Sequence, residues 1–244
     1  MRTAIITGAS GGIGYQTSLA FVKAGYAVVA VYNSNEASAK KLAEEAQKSY
    51  NGIVYPVKID LASSKSISDR IKEILSEFKS IDVLVNNAGV SYVGLLQDTS
   101  EQDYDRVFNV NMKSAFLLTK AVLPSMIEKK HGKIVNVSSM WGERGASCEV
   151  VYSASKAALI GFTKALAKEV GPSGINVNTV LPGVIDTKMN SRLTPEDIEE
   201  LKDSTAMGRI GAPEEIAELI LYLCSEKSSF ITGQAIAADG GFIG

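Results

Sequence analysis

The chain has 244 residues, 45% of them hydrophobic, with a net charge of −2 and a pI near 5.6. That length accommodates one large α/β domain or two small ones around a sizeable core, and the acidic balance lacks the basic footprint of a nucleic-acid binder. No apolar run reaches the roughly 18 residues of a membrane span, and the opening MRTAIITGAS lacks the long apolar stretch of a signal peptide. The expectation is a cytoplasmic protein with no nucleic-acid partner and no membrane partner. Cys148 and Cys224 lie far apart and fit neither metal nor redox spacing, so reduced thiols and no metal site are expected.

Apolar, β-rich runs then alternate with helical patterns. TAIIT (3–7) predicts a buried strand, and residues 13–25 a helix ending at Gly25. AVVAVY (27–32) is the next strand. EASAKKLAEEAQKSY (36–50) is an amphipathic helix with Leu42, Ala43 and Ala46 on one face. IVYPVKI (53–59) predicts a strand whose Pro56 suits an edge. A helix over 64–79 leads to a strand in IDVLVN (81–86). Residues 101–130 predict one long helix with Pro124 as a possible kink. KIVNVS (133–138) is a strand, and 151–170 a helix closed by Gly171-Pro172. INVNTVL (175–181), a helix near 213–225 and a short strand near 235–238 complete the series. The loop 183–196 is the most irregular stretch, either a surface loop or an active-site lid. Continuous apolar strands alternating with helices predict a single Rossmann-like α/β domain over residues 1–244. Its doubly wound parallel sheet would have about seven strands, with helices on both faces.

TGASGGIG (7–14) follows the first strand and opens the first helix. Gly8, Gly12 and Gly14 let the backbone turn tightly and approach a ligand, and a helix N-terminus offers free N–H groups to a pyrophosphate. A turn without a ligand is the plain alternative, but this motif sits first in the fold and in the context that dinucleotide binding needs. At the end of the second strand, Tyr32, Asn33 and Ser34 are neutral. An acidic residue there would repel a 2′-phosphate, whereas Asn33 and Ser34 can donate to one, so NADP(H) is the expected cofactor.

These motifs resemble the short-chain dehydrogenase/reductase superfamily across the whole chain. TGASGGIG is similar to its TGxxxGxG turn, NNAG (86–89) to its fourth-strand motif, NVSS (136–139) to its serine motif, YSASK (152–156) to YxxxK, and LPG (181–183) to its PG motif. The resemblance implies a catalytic tetrad of Asn111, Ser139, Tyr152 and Lys156. It implies cofactor contacts from Gly8, Ser10, Gly12, Ile13 and Gly14 in the glycine turn, and from Asp60 and Leu61 beside the adenine. Asn87, Ala88 and Gly89 would lie near the ribose, and Pro182, Gly183, Val184 and Thr187 near the nicotinamide amide. Tyr152 and Lys156 would also touch the cofactor. A homotetramer built partly on the helices of 101–130 and 151–170 is implied as well.

Tyr152 and Lys156 lie one helical turn apart on one face. A free tyrosine has a pKa of about 10; a nearby ammonium, and the positive nicotinamide when oxidised, favour the phenolate and lower that value. Tyr152 is then expected to protonate a carbonyl oxygen, and Ser139 to stabilise its developing charge. By the family resemblance, Lys156 grips the nicotinamide ribose and Asn111 holds a water leading to solvent. Singly, Ser139 could be a turn former and Asn111 a polar helix residue; it is the set that points to catalysis. His131, in KKHGK, reads as a structural or exposed turn residue. Trp141 either lines the substrate pocket or packs under its loop.

TKALAKEV, PSGINVN, PGVIDT and ITGQ…DGG resemble bacterial 3-oxoacyl-(acyl carrier protein) reductases, which implies an acyl carrier protein as partner and a role in fatty-acid synthesis. The position often basic in that group is Ser173 here, leaving Lys129 and Lys130 as candidate docking charges. Glu149, a candidate substrate contact with Trp141 and Ser139, suits a cationic substrate, or serves as a partner for Arg144 or a surface charge. The segment around Trp141 to Glu149 also resembles a subgroup acting on an aminopentanone group on a lysine of elongation factor P. A hydroxysteroid or other alcohol dehydrogenase shares the tetrad. A non-catalytic NADP-binding regulator typically lacks tetrad residues, and all four are present. Specificity is expected to reside in segments 91–98, 140–150 and 188–206.

Overall fold

Each apolar run becomes a strand of one sheet with every pairing parallel. The strands are β1 (Arg2–Thr7), β2 (Tyr26–Tyr32), β3 (Val54–Lys58), β4 (Val83–Asn86), β5 (Gly132–Val137), β6 (Ile175–Pro182) and β7 (Ala235–Ala238). Their order is β3-β2-β1-β4-β5-β6-β7. The structure is a computed structural model that describes residues 1–78, 80–191 and 193–243. Pro56 lies on the edge strand β3, where its missing N–H breaks no outer ladder.

Because side chains alternate across a strand, each central strand feeds two cores. Ile6, Val28, Val85 and Val135 point to one, packed by Phe21 and Val22 of α1 (Gly12–Lys23), Leu42 of α2 (Glu36–Tyr50) and Ile216 and Ile220 near the C-terminus. Ile5, Val29, Leu84 and Ile134 point to the other, against Ile67 and Ile71 of α3 (Ser64–Glu77), and residues of the two long helices that follow β4 and β5. This two-sided burial is why the strands carry continuous apolar runs.

The sheet reverses direction between β1 and β4, where α/β folds open a ligand crevice at the carboxyl ends of the strands. Thr7 closes that junction from below. Its Oγ1 accepts the N–H groups of Asn87 and Ala88, each at 2.9 Å, and the Asn87 amide donates to Thr7 O at 2.8 Å.

The helices depart from expectation in three places. The single helix over 101–130 is α4 (Glu101–Phe108) and α5 (Ser114–Lys129), joined by a π-turn over Asn109–Lys113. A π-turn widens the helix by one residue per turn and often marks a functional site. Pro124 lies inside α5. Two short helices were not anticipated: α6 (Trp141–Arg144) and α8 (Pro195–Asp203). The start of α8 carries a readable signal, since Thr194 and Asp197 form a reciprocal capping box ahead of Pro195. The remaining helices are α7 (Val150–Val170) and α9 (Pro213–Leu223). Lys79, the last residue of the expected 64–79 helix, lies outside the described residues, as does Arg192 in the 183–196 loop.

A buried polar chain crosses the sheet. Asn86 donates to Asn136 Oδ1 at 2.8 Å, and Asn136 donates to Thr163 Oγ1 on α7 at 2.8 Å. Thr163→Val leaves the Asn136 amide without that acceptor and should cost about 1–3 kcal/mol, lowering Tm by roughly 2–4 °C per kcal/mol. Thr163→Ser keeps the hydroxyl and should lose less; equal losses in thermal unfolding would count against the network.

Candidate active site

The glycine turn works through close approach. Gly8 has φ +67°, a left-handed conformation, and a Cβ there would lie 2.9 Å from Asn87 Nδ2. A Cβ at Gly14 would lie 2.2 Å from Gly8 O, an impossible contact. The turn therefore folds flat under β4, and α1 begins without any side-chain cap. Its first amides are left for a ligand, the arrangement that binds a pyrophosphate. Ser38 Oγ donates to Ser10 O at 3.1 Å, tying the first turn of α2 to the same loop.

Above the carboxyl ends of the strands lies a cavity of about 670 Å³. Gly8, Ser10, Gly12, Ile13 and Gly14 form part of its wall, with Asn33, Ser34 and Leu61 at the β2 end and Asn87, Ala88 and Gly89 after β4. Pro182, Gly183, Val184 and Thr187 line it from the segment after β6. Asp60 is the one expected cofactor residue that does not line it. It is exposed, and its Oδ1 accepts the Ala62 N–H at 3.0 Å, so its carboxylate holds the turn after β3. Asn33 and Ser34 bring no negative charge to their end of the cavity. The uncapped amides and the glycine floor fit a nicotinamide dinucleotide.

At the other end, Ser139, Tyr152, Lys156, Trp141 and Glu149 all line the cavity. Asn111 stands behind them, buried. Its Oδ1 accepts the Val90 N–H at 2.8 Å, and its Nδ2 donates to Val90 O and to Ser155 Oγ, each at 2.9 Å. Both N–H donors of that amide are thus engaged within the protein. The π-turn places Asn111 where it can brace α7 and the segment after Gly89. Ser139 Oγ accepts the Trp141 N–H at 3.2 Å and is hydrogen-bonded to Tyr152. Lys156 Nζ donates to Val137 O at 2.8 Å, and Ser138 Oγ donates to Lys156 O at 2.8 Å, pinning α7 to the end of β5.

A family model described as enoyl-(acyl carrier protein) reductase matches residues 8–243. The uncharacterized oxidoreductase YmfI of Bacillus subtilis is 42% identical over 99% of this chain and 98% of its own length. The 3-oxoacyl-[acyl-carrier-protein] reductase FabG of Thermotoga maritima is 41% identical, over 99% and 98%. The chain belongs to the short-chain dehydrogenase/reductase superfamily. A short-chain dehydrogenase/reductase from Serratia marcescens superposes with a TM-score of 0.93 at 34% identity, covering 100% of this chain and 98% of that one. A blue fluorescent protein from a metagenomic library, in complex with NADPH, also gives 0.93, at 31% identity and the same coverage.

Within this short-chain dehydrogenase/reductase burial dominates the electrostatics of the tyrosine. Burial pushes the Tyr152 hydroxyl up to about 12; its hydrogen bond with Ser139 works against the rise, and the Glu149 carboxylate adds to it. Lys156 is itself buried, which brings it down to about 8.

Arg106 and Val90 lie outside every site segment expected from the sequence, whereas Ser91 and Lys188 fall in the expected 91–98 and 188–206. Arg106 lines the cavity but reads as an ordinary exposed cation on its helix. Val90 and Ser91 line it too, and Asn111 holds the Val90 backbone. Trp141 both lines the cavity and packs edge-on against Phe242, with ring centroids 5.3 Å apart. Arg144 pairs with Asp239 at 3.2 Å. Lys129 pairs with Asp82 at 3.0 Å, at the amino end of β4, away from the carboxyl ends where the cavity lies. Cys148 and Cys224 are free.

The lysine shift has a testable sign. Lys156 stands at about 8 folded against 10.5 for a free lysine. Between those values the unfolded chain binds more protons, so stability at this site rises with pH across that window. Lys156→Met should remove the rise, whose slope for one proton is at most about 1.4 kcal/mol per pH unit. Denaturant unfolding from pH 7 to 10 reads it, and an unchanged slope in the variant refutes the assignment.

Proposed function

We propose that the chain is a cytoplasmic NADPH-dependent reductase that converts a ketone to a secondary alcohol, its substrate being a 3-oxoacyl group carried as a thioester on acyl carrier protein. The observation that carries this reading is the placement of Tyr152 with Ser139 in the wall of a cavity whose other end is an uncapped glycine turn with neutral Asn33 and Ser34. The relatives of about 40% identity described as 3-oxoacyl-[acyl-carrier-protein] reductases support the substrate class.

The glycine turn would hold the pyrophosphate, Asn33 and Ser34 the 2′-phosphate, and Lys156 the nicotinamide ribose. When bound, NADPH supplies the hydrogen and two electrons that reduce the carbonyl carbon. Tyr152 Oη gives its proton to the carbonyl oxygen, so that a C–H and an O–H bond replace the C=O π bond. The Ser139 hydroxyl donates to the same oxygen and stabilises its growing charge.

Tyr152→Phe should reduce kcat by about 10²–10⁴-fold while NADPH binding, followed by fluorescence, stays largely intact; near-normal turnover in that variant would sink the mechanism.

A second reading is favoured by one observation, the Glu149 carboxylate in the cavity wall, close enough to bear on Tyr152. It suits a ketone with a cationic amine, such as an aminopentanone group on a lysine of elongation factor P, and does nothing for a neutral acyl chain. NADPH oxidation with acetoacetyl thioester and with aminopentanone-modified elongation factor P, run side by side, separates the readings. Under the second, Glu149→Gln raises KM for the amine-bearing ketone by about tenfold, the value of a charge-assisted contact. An equal effect on both substrates removes the electrostatic argument.

A further inference from the structure

Among the described residues three cations line the cavity: Lys156, Lys188 and Arg106. Two have an evident place. Lys156 belongs to the catalytic group. Lys188 follows Thr187, which stands against the glycine turn; a Cβ on Gly12 would meet Thr187 Cγ2 at 2.7 Å. Lys188 is therefore at the pyrophosphate end.

Arg106 belongs to neither. It lies on α4, one turn before Val110, and both residues line the cavity. α4 packs against α7, and Asn111 ties the end of this helix run to Val90, so Arg106 stands on the catalytic side. It is exposed, which puts it at the rim. The acid one turn earlier, Asp103, accepts the Ser100 hydroxyl at 2.6 Å. Among the described residues Arg106 makes no ion pair, with Glu149 or with any other carboxylate. A guanidinium in this setting presents a planar fork of donors to whatever leaves the cavity past α4.

We propose that Arg106 is a specificity-determining residue that binds a phosphate on the arm carrying the ketone. The proposal rests on the reading of the substrate as a carrier-borne 3-oxoacyl thioester. The cavity must take the nicotinamide and the ketone together, so a pantetheine arm has to emerge over the rim, and that arm ends in a phosphate. Arginine matches phosphate in both charge and bidentate geometry.

The test is calorimetric binding of 4′-phosphopantetheine and of pantetheine to the NADP-loaded protein. The wild type should prefer the phosphorylated ligand by about tenfold or more, as expected for a charge-assisted hydrogen bond. Arg106→Gln should bring the ratio close to one, and Arg106→Lys should keep part of it. A wild type without preference, or a preference surviving Arg106→Gln, overturns the proposal. Turnover of acetoacetyl thioester by the wild type tests the underlying reading separately. Phosphate preference through Arg106 without thioester turnover would leave the phosphate site standing and refute the substrate.

Discussion

The whole site hangs on one side chain at the reversal of the sheet. A threonine hydroxyl can accept two hydrogen bonds and donate one, and Thr7 uses all three. It accepts from Asn87 N and Ala88 N at 2.9 Å and donates to Val85 O at 3.4 Å. The ends of β1 and β4 are thereby locked side by side. The next residue must turn sharply against the Asn87 amide, and only glycine takes that turn at position 8. The helix that follows must pass over Gly8 O, and only glycine fits at position 14. The flat floor of the cavity and the bare amides of α1 are consequences of this junction.

The catalytic wall is held by an equivalent constraint on α7. Ser138 grips Lys156 O from β5, Lys156 itself reaches Val137 O, and Asn111 grips Ser155 from the π-turn. Three anchors on five residues of helix fix where Tyr152 and Lys156 stand. They also bury both, and burial sets their ionisation. Positioning and desolvation thus come from the same contacts and cannot be separated by moving one side chain.

Much of this was legible in the sequence. The strand runs, the glycine turn and the Tyr152–Lys156 spacing follow from short-range rules, and the structure brings Ser139, Tyr152 and Lys156 to one wall. Three things were not legible. The π-turn at Asn109–Lys113 is a one-residue register change inside a continuous helical pattern, and no residue type marks it. Arg106 looks like a solvated helix cation until α4 is docked on α7. The burial that pushes Tyr152 up and Lys156 down is not reported by spacing alone. Asp60 does not line the cavity, and one oxygen of its carboxylate accepts from the backbone of its own turn.

The ionisation of Tyr152 bears on the chemistry: reduction of a ketone draws a proton from it, and oxidation of an alcohol needs its phenolate. Burial and the Glu149 carboxylate both keep the proton on Tyr152, while the Ser139 hydrogen bond favours its loss. A cation at the nicotinamide position would shift the balance toward phenolate, so the two directions differ in how far the tyrosine must be moved before reaction. On the proposed reading, substrate choice is made elsewhere, where Glu149 and Arg106 bring opposite charges to the cavity wall. Tyr152 and Ser139 would need only an oxygen between them, and which ketone delivers it would follow from the charge its arm carries past α4 and α7.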